Sequence, residues 1–193
     1  MSKRISKYPE TAIQINSKIA NSVKEKKYEE ALKFALEMDS ILPNNGDIKN
    51  FIGKIKAKQS NFLEASYYFN KAISLESYNK WFYINAAVNL AQNNQYTEAV
   101  AIVNKLNKLF PNWGIGYNLK ATLLRKLGDS QKAISFYDKA IACQPNSAQI
   151  IVNRGDLYLG LNNKEKAIVD YQKALEIQPN YKRALDKLNV LLK

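Results

Sequence analysis

The chain has 193 residues, 46% of them hydrophobic, with a formal net charge of +12, one cysteine and no histidine. The lack of histidine excludes Ser-His-Asp and Cys-His catalytic arrangements and His-built metal sites, and one cysteine excludes an internal disulfide framework. No apolar run approaches the roughly 20 residues that cross a bilayer, and the basic N-terminus MSKRISKYPETAIQ has no apolar block behind it, so the expectation is a soluble, cytoplasmic, all-helical protein without a secretory signal.

The positive excess is spread along the chain. In 34-residue units from Ala12, the first and fifth are neutral, and the excess lies in the middle three, the N-terminal arm and the C-terminal tail. There is no dense arginine cluster and no aromatic-plus-basic signature of a nucleic-acid module, so nucleic acid is not the expected partner. An acidic protein or peptide suits the charge better.

Residues 1–11 read as a flexible basic arm. From Ala12 one register repeats without insertion as 12–45, 46–79, 80–113, 114–147 and 148–181. Each unit holds two helix-period apolar patterns separated by a polar break. Pro43, Pro111, Pro145 and Pro179 close four of them, each followed by asparagine, which ends one helix and supplies polar residues to cap the next. Ser77 stands in the proline's place in the second unit, so the junction there is expected to be looser or to continue the helix.

An alanine recurs in every second helix, as Ala31, Ala65, Ala99, Ala133 and Ala167. It marks a close helix crossing, where added volume typically costs about 1–3 kcal/mol. The places after it read Phe69/Ala72, Tyr137/Ala140 and Tyr171/Ala174, but Ala35/Met38 and Val103/Leu106 in the first and third units. The small place of the first helix reads Ile19, Gly53, Ala87, Ala121 and Gly155. Ile19 fits least, which points to a distorted first unit. Residues 182–193, with Leu185, Leu188 and Leu192 on one face, read as a capping helix over the last unit.

The fifth unit, AQIIVNRGDLYLGLNNKEKAIVDYQKALEIQPNY, combines small Gly155, Ala167 and Ala174 with bulky Tyr158 and Tyr171 and the closing Pro179. This pattern resembles the tetratricopeptide repeat, although Ile151 replaces the usual tryptophan. Five units in one register extend the resemblance over residues 12–193. It implies an all-α fold, a right-handed α-solenoid of antiparallel helix pairs (the TPR superhelix), in which the first helices line a concave groove. It also implies a non-catalytic interaction module or adaptor that needs no cofactor or metal.

In this family the second, fifth, sixth, ninth, twelfth and thirteenth places of each first helix face the groove. Those places hold a recurrent amide, Asn16, Asn50, Asn85, Asn118 and Asn153, of which only Asn85 and Asn153 sit at the sixth place. An asparagine side chain both donates and accepts, so such a row can bracket an extended peptide backbone, as the asparagine ladder of some peptide-binding members does. The alternative is that asparagine is a framework choice there. Asn85, Asn118 and Asn153 are the backbone-holding candidates. Phe51, Trp81, Ile84, Val88, Ile115 and Leu119 form an apolar set at groove places, with Trp81, Phe51 and Leu119 as the expected anchors. Ile84 and Ile115 are the members of that set most open to turning inward to the core. Lys54, Lys58, Arg125 and Lys126 favour an acidic ligand.

Co-chaperone members hold the acidic C-terminal tail of heat-shock chaperones with a carboxylate clamp: Lys and Asn, then Asn, then Lys and Arg, on three successive first helices. The corresponding places here are Asn118 and Thr122, then Asn153, then Arg183 and Lys187. Asn153 matches, the last pair keeps its charge with the types exchanged, and the first helix lacks its lysine, which removes one charge-assisted bond. The expected function is therefore binding of a peptide segment or partner protein in the groove. Acidic-tail recognition and a self-assembling, homo-oligomeric scaffold are the alternatives. Cys143, late in a second helix, reads as a small buried residue, with nothing local to activate its thiol.

Overall fold

The computed structural model describes residues 9–192. Among them there are eleven α-helices and no strand: α1 (Glu10–Lys24), α2 (Tyr28–Ile41), α3 (Gly46–Lys58), α4 (Phe62–Leu75), α5 (Lys80–Gln92), α6 (Tyr96–Leu109), α7 (Gly114–Lys126), α8 (Ser130–Cys143), α9 (Ala148–Gly160), α10 (Lys164–Ile177) and α11 (Lys182–Leu191). From α3 onward, every odd-numbered helix begins 34 residues after the one before, and the even-numbered helices keep the same interval. Helix α1 already begins at Glu10, so the end of the expected arm is helical. The rest of that arm, residues 1–8, lies outside the described residues.

The chain divides into two compact units, one ending at Asn94 and one beginning at Gln95. In the first unit α1 packs on α2, α3 on α4, and α4 on α5; in the second, α6 packs on α7, α7 on α8, α9 on α10, and α10 on α11. The recurrent alanines Ala31, Ala65, Ala99, Ala133 and Ala167 are fully buried.

Packing at the next layer works by exchanging sizes between the two helices of a pair. In the first unit a Cβ on Gly53 would meet the Phe69 ring at 2.9 Å, and in the second a Cβ on Gly155 would meet the Tyr171 ring at 2.9 Å. A large residue on the second helix thus requires a small one on the first. Helices α1 and α2 reverse the sizes, with Ile19 5% and Ala35 1% exposed. Ile19 is therefore a buried partner to a small residue, and the reversal leaves space that three of the other pairs fill with a ring (Phe69, Tyr137 and Tyr171).

The loop within each helix pair turns through one residue of positive φ, at Lys26, Ser60, Asn94, Gly128 and Asn162. Sequence periodicity did not reveal this turn, because only Gly128 and the two asparagines are residue types that favour it. Side-chain caps follow it: Asn61, Asp129 and Asn163 accept from the backbone amides of Glu64, Lys132 and Lys166 at 3.4, 3.2 and 3.1 Å. At the junction without proline, α4 ends at Leu75 and α5 starts at Lys80, so the helix does not run through. Here the Tyr83 hydroxyl donates to the Ser77 carbonyl at 3.1 Å and Asn79 caps Trp81 at 3.2 Å.

The buried face of α11 differs from the expected one. Ala184 (0%) and Leu188 (7%) are buried, whereas Leu185 is 38% and Leu192 65% exposed. The i, i+4 spacing of Ala184 and Leu188, with Leu191 packed beside them, selects a stripe one residue away from the one the leucines suggested.

Candidate functional site

The fifth and sixth places of the odd-numbered helices bring amides together within each unit. In the first, Asn85 Nδ2 on α5 donates to Asn50 Oδ1 on α3 at 2.8 Å. In the second, Asn153 Nδ2 on α9 donates to Asn118 Oδ1 on α7 at 2.9 Å. The one-place offset visible in the sequence is the geometry of the bond: a sixth-place amide reaches back to the fifth place of the preceding first helix. Asn16 forms no such pair, since the place that would donate to it is occupied by Phe51.

All four paired amides are half-buried. Among the described residues, Asn50 Nδ2 and Asn85 Oδ1 have no further protein partner. One donor and one acceptor thus stand side by side, the set needed to bracket a peptide group. In the second unit Asn118 Nδ2 is similarly open, but Asn153 Oδ1 accepts from Arg183 on α11 at 3.1 Å. The other arm of Arg183 pairs with Asp156, whose second oxygen accepts from the Tyr171 hydroxyl at 2.7 Å. Burial first, and then the Asp156 bond and charge, raise the Tyr171 phenol above its ordinary value of 10.0.

The apolar candidates divide. Trp81 is 53% and Val88 39% exposed. Ile84, Ile115 and Leu119 are half-buried, neither turned fully inward nor standing free. Phe51, expected as a groove anchor, packs partly against the core of the first unit. Thr122 donates to the Asn118 carbonyl at 3.0 Å and meets the Tyr137 hydroxyl at 3.1 Å, which holds it inside the packing.

Of the basic candidates, Lys54, Lys58, Lys126 and Lys187 are exposed and Arg125 is half-buried. Lys58 Nζ lies 5.7 Å from the Tyr28 ring centre. None of these five forms an ion pair with another described residue. Arg183 differs, being already engaged by Asp156.

Sequence reasoning missed the strongest polar contact in the second unit. Arg154 on α9 donates to both oxygens of Asp170 on α10, at 2.9 and 2.6 Å, and to Asp138 on α8 at 2.6 Å. Asp170 is only 2% exposed. The only prior signal was an arginine beside Gly155, the small place of the first helix. Cys143 is half-buried, with its sulfur 4.0 Å from the Pro111 carbonyl oxygen. Among the described residues, no group of three or more His, Cys, Asp or Glu side chains could hold a metal ion, and no helix is long and apolar enough to cross a membrane.

The tetratricopeptide repeat profile matches residues 148–181, and a second profile of the same repeat matches 116–147. Residues 116–181 are tetratricopeptide repeats. A heat shock protein sti1 homolog of Schizosaccharomyces pombe is 29% identical over 99 residues, 51% of this chain and 17% of that protein. The Hsp70-Hsp90 organizing protein of Triticum aestivum is 34% identical over 86 residues, 45% of this chain and 15% of that protein. The matched stretch thus spans less than a fifth of either relative. Among solved structures, MamA from Desulfovibrio magneticus RS-1 superposes with a TM-score of 0.74 at 17% identity, over 90% of this chain and 98% of its own. YrrB, described as a TPR protein with an unusual peptide-binding site, superposes with a TM-score of 0.64 at 22% identity, over 96% and 95%. At these identities the likeness establishes the fold, an all-α tetratricopeptide solenoid. The repeat is a protein-interaction scaffold.

Proposed function

We propose that this tetratricopeptide-repeat protein is a non-catalytic adaptor that binds an extended peptide segment along its first helices. Asn50 and Asn85 contact the peptide backbone in the first unit, and Asn118 and Asn153 offer the equivalent contact in the second. Trp81 supplies an apolar anchor, and Lys54, Lys58, Arg125, Lys126 and Lys187 favour acidic residues in the ligand. The observation that carries this reading is the open donor and acceptor of the Asn50–Asn85 pair. A framework asparagine whose only role was packing would have no reason to leave a hydrogen-bonding edge facing out beside an exposed tryptophan.

The names of the two curated relatives raise recognition of an acidic chaperone tail as a second reading. It is weaker for this chain, because Arg183 is held by Asp156 and the helix carrying Asn118 lacks the clamp's lysine. A tail carboxylate would have to displace Asp156.

A peptide array tests the proposal. Wild type is compared with Asn85→Ala/Asn153→Ala and with Trp81→Ala, each checked for helicity by circular dichroism. The proposal expects acidic peptides retained by wild type and lost by the folded variants. Equal retention by all three contradicts it.

A further inference from the structure

The first unit contains a cavity of about 330 Å³ whose apolar walls are Ile19, Val23, Ala35, Met38, Ile48 and Phe51, with Asn16, Ala20 and Asp47 completing the lining. Asp47, the one acid there, is already engaged by a partner. We infer that it is an anchor pocket for an aromatic side chain of an acidic peptide; the inference rests on the peptide-binding reading above.

The cavity has an identifiable origin. At the place of Ala35, which recurs every 34 residues, α4, α8 and α10 carry Phe69, Tyr137 and Tyr171, rings that are at most 1% exposed, and α6 carries the fully buried Val103. In α2 the ring is missing, and Ile19 on α1 does not fill the space it vacates. The volume lies at the lower end of the roughly 300–1,000 Å³ of ligand pockets. The mostly aliphatic walls suit an apolar group, and the Met38 thioether favours the edge of an aromatic ring.

Three features select a peptide side chain as the occupant. Phe51, one wall, is the chain neighbour of Asn50, so a peptide held by the Asn50–Asn85 pair brings its next side chains to the cavity. Asn16 and the exposed Ala20 stand at its edge, so it opens to the outside. Lys54 and Lys58 follow Asn50 along α3, exposed and without ion pairs among the described residues, and complement acidic residues flanking the ring.

The probe is an array of blocked acidic nonapeptides identical except for the central residue, which takes all twenty types. Wild type is compared with Ala20→Trp, which covers the mouth from an exposed position, and with Ala35→Phe, which fills the cavity from within. Thermal unfolding establishes that the variants fold. Wild type should bind phenylalanine and tyrosine peptides about tenfold or more tightly than the alanine peptide, the scale of burying one aromatic side chain. Ala20→Trp should reduce that ratio to near unity while alanine-peptide binding persists. A flat profile in wild type, with binding still lost in Asn50→Ala/Asn85→Ala, overturns the pocket and leaves the amide face standing. An aromatic preference unchanged in folded Ala20→Trp and Ala35→Phe also overturns it. Binding of no peptide overturns both readings.

Discussion

Asn85 gives one amide hydrogen to Asn50 at 2.8 Å and keeps its own carbonyl oxygen open. The bond orients both side chains before a ligand arrives, which lowers the ordering cost of binding. It also contributes to stability, at roughly 0.5–1.5 kcal/mol for a net hydrogen bond. Asn85→Ala should therefore lower the urea midpoint by a small amount of this order, with an unchanged m-value. A loss of several kcal/mol would assign the pair to the core instead.

Arg154 and Asp170 set the opposite case. The Asp170 carboxylate is 3% exposed by side chain, whereas Asp138, the other acid on Arg154, is 51% exposed. Removing the partner of a buried charge typically costs about 3–5 kcal/mol, while an exposed pair contributes about 0–1. Chemical denaturation should show Arg154→Ala losing stability on the first scale and Asp138→Ala on the second. Similar losses for both would contradict the assignment of burial.

The turn residues within the helix pairs predict gains as well as losses. Ser60 and Lys26 hold φ of 61° and 60°, a region that costs a residue with a Cβ roughly 1–2 kcal/mol. Ser60→Gly and Lys26→Gly should each raise the thermal midpoint, despite the greater entropy of the unfolded chain. Gly128 has φ 84° and nothing within 4 Å of an added Cβ. Gly128→Ala should therefore destabilise by about 1 kcal/mol through the backbone alone. Calorimetry of the three variants decides this.

The Tyr171 phenol links the second unit to pH. Burial and the bond to Asp156 raise its pKa in the folded state above the 10.0 of an exposed phenol. Its contribution is complete below pH 10.0 and is lost as pH climbs above that value toward the folded-state value, because the unfolded chain releases its proton first. Between about pH 9 and 11, wild type should lose more stability than Tyr171→Phe, which has no proton to lose at that site. Equal losses would remove Tyr171 from the linkage.

Much of the fold was legible because its rules are periodic. The buried alanines, the proline junctions and the helix intervals all follow from spacing, and Ala31 through Ala167 stand where the pattern put them. What escaped was decided by partners in space. Ile19 looked like a defect when judged by its own place, but the reversed size of Ala35 on the facing helix explains it. The leucines of α11 suggested one stripe, and packing against α10 chose Ala184 and Leu188. At the candidate site the row of asparagines was visible, with its one-place offset, but the offset acquires meaning only when Asn85 and Asn153 reach back across the helix stack. Arg183 looked free for a carboxylate and is held by Asp156, an acid on another helix that no linear pattern connects to it.

The most direct test of the peptide-binding face is to watch its amides. In ¹H–¹⁵N spectra, the side-chain NH₂ resonances of Asn50, Asn85, Asn118 and Asn153 report on the groups proposed to touch the ligand, and an array-selected acidic peptide is the titrant. The account predicts that these resonances shift saturably, with changes at Trp81 Nε1, while side chains on the outer faces of the even-numbered helices, such as Asn104, stay in place. Saturable shifts confined to those outer faces, with the four paired amides unmoved, would contradict it.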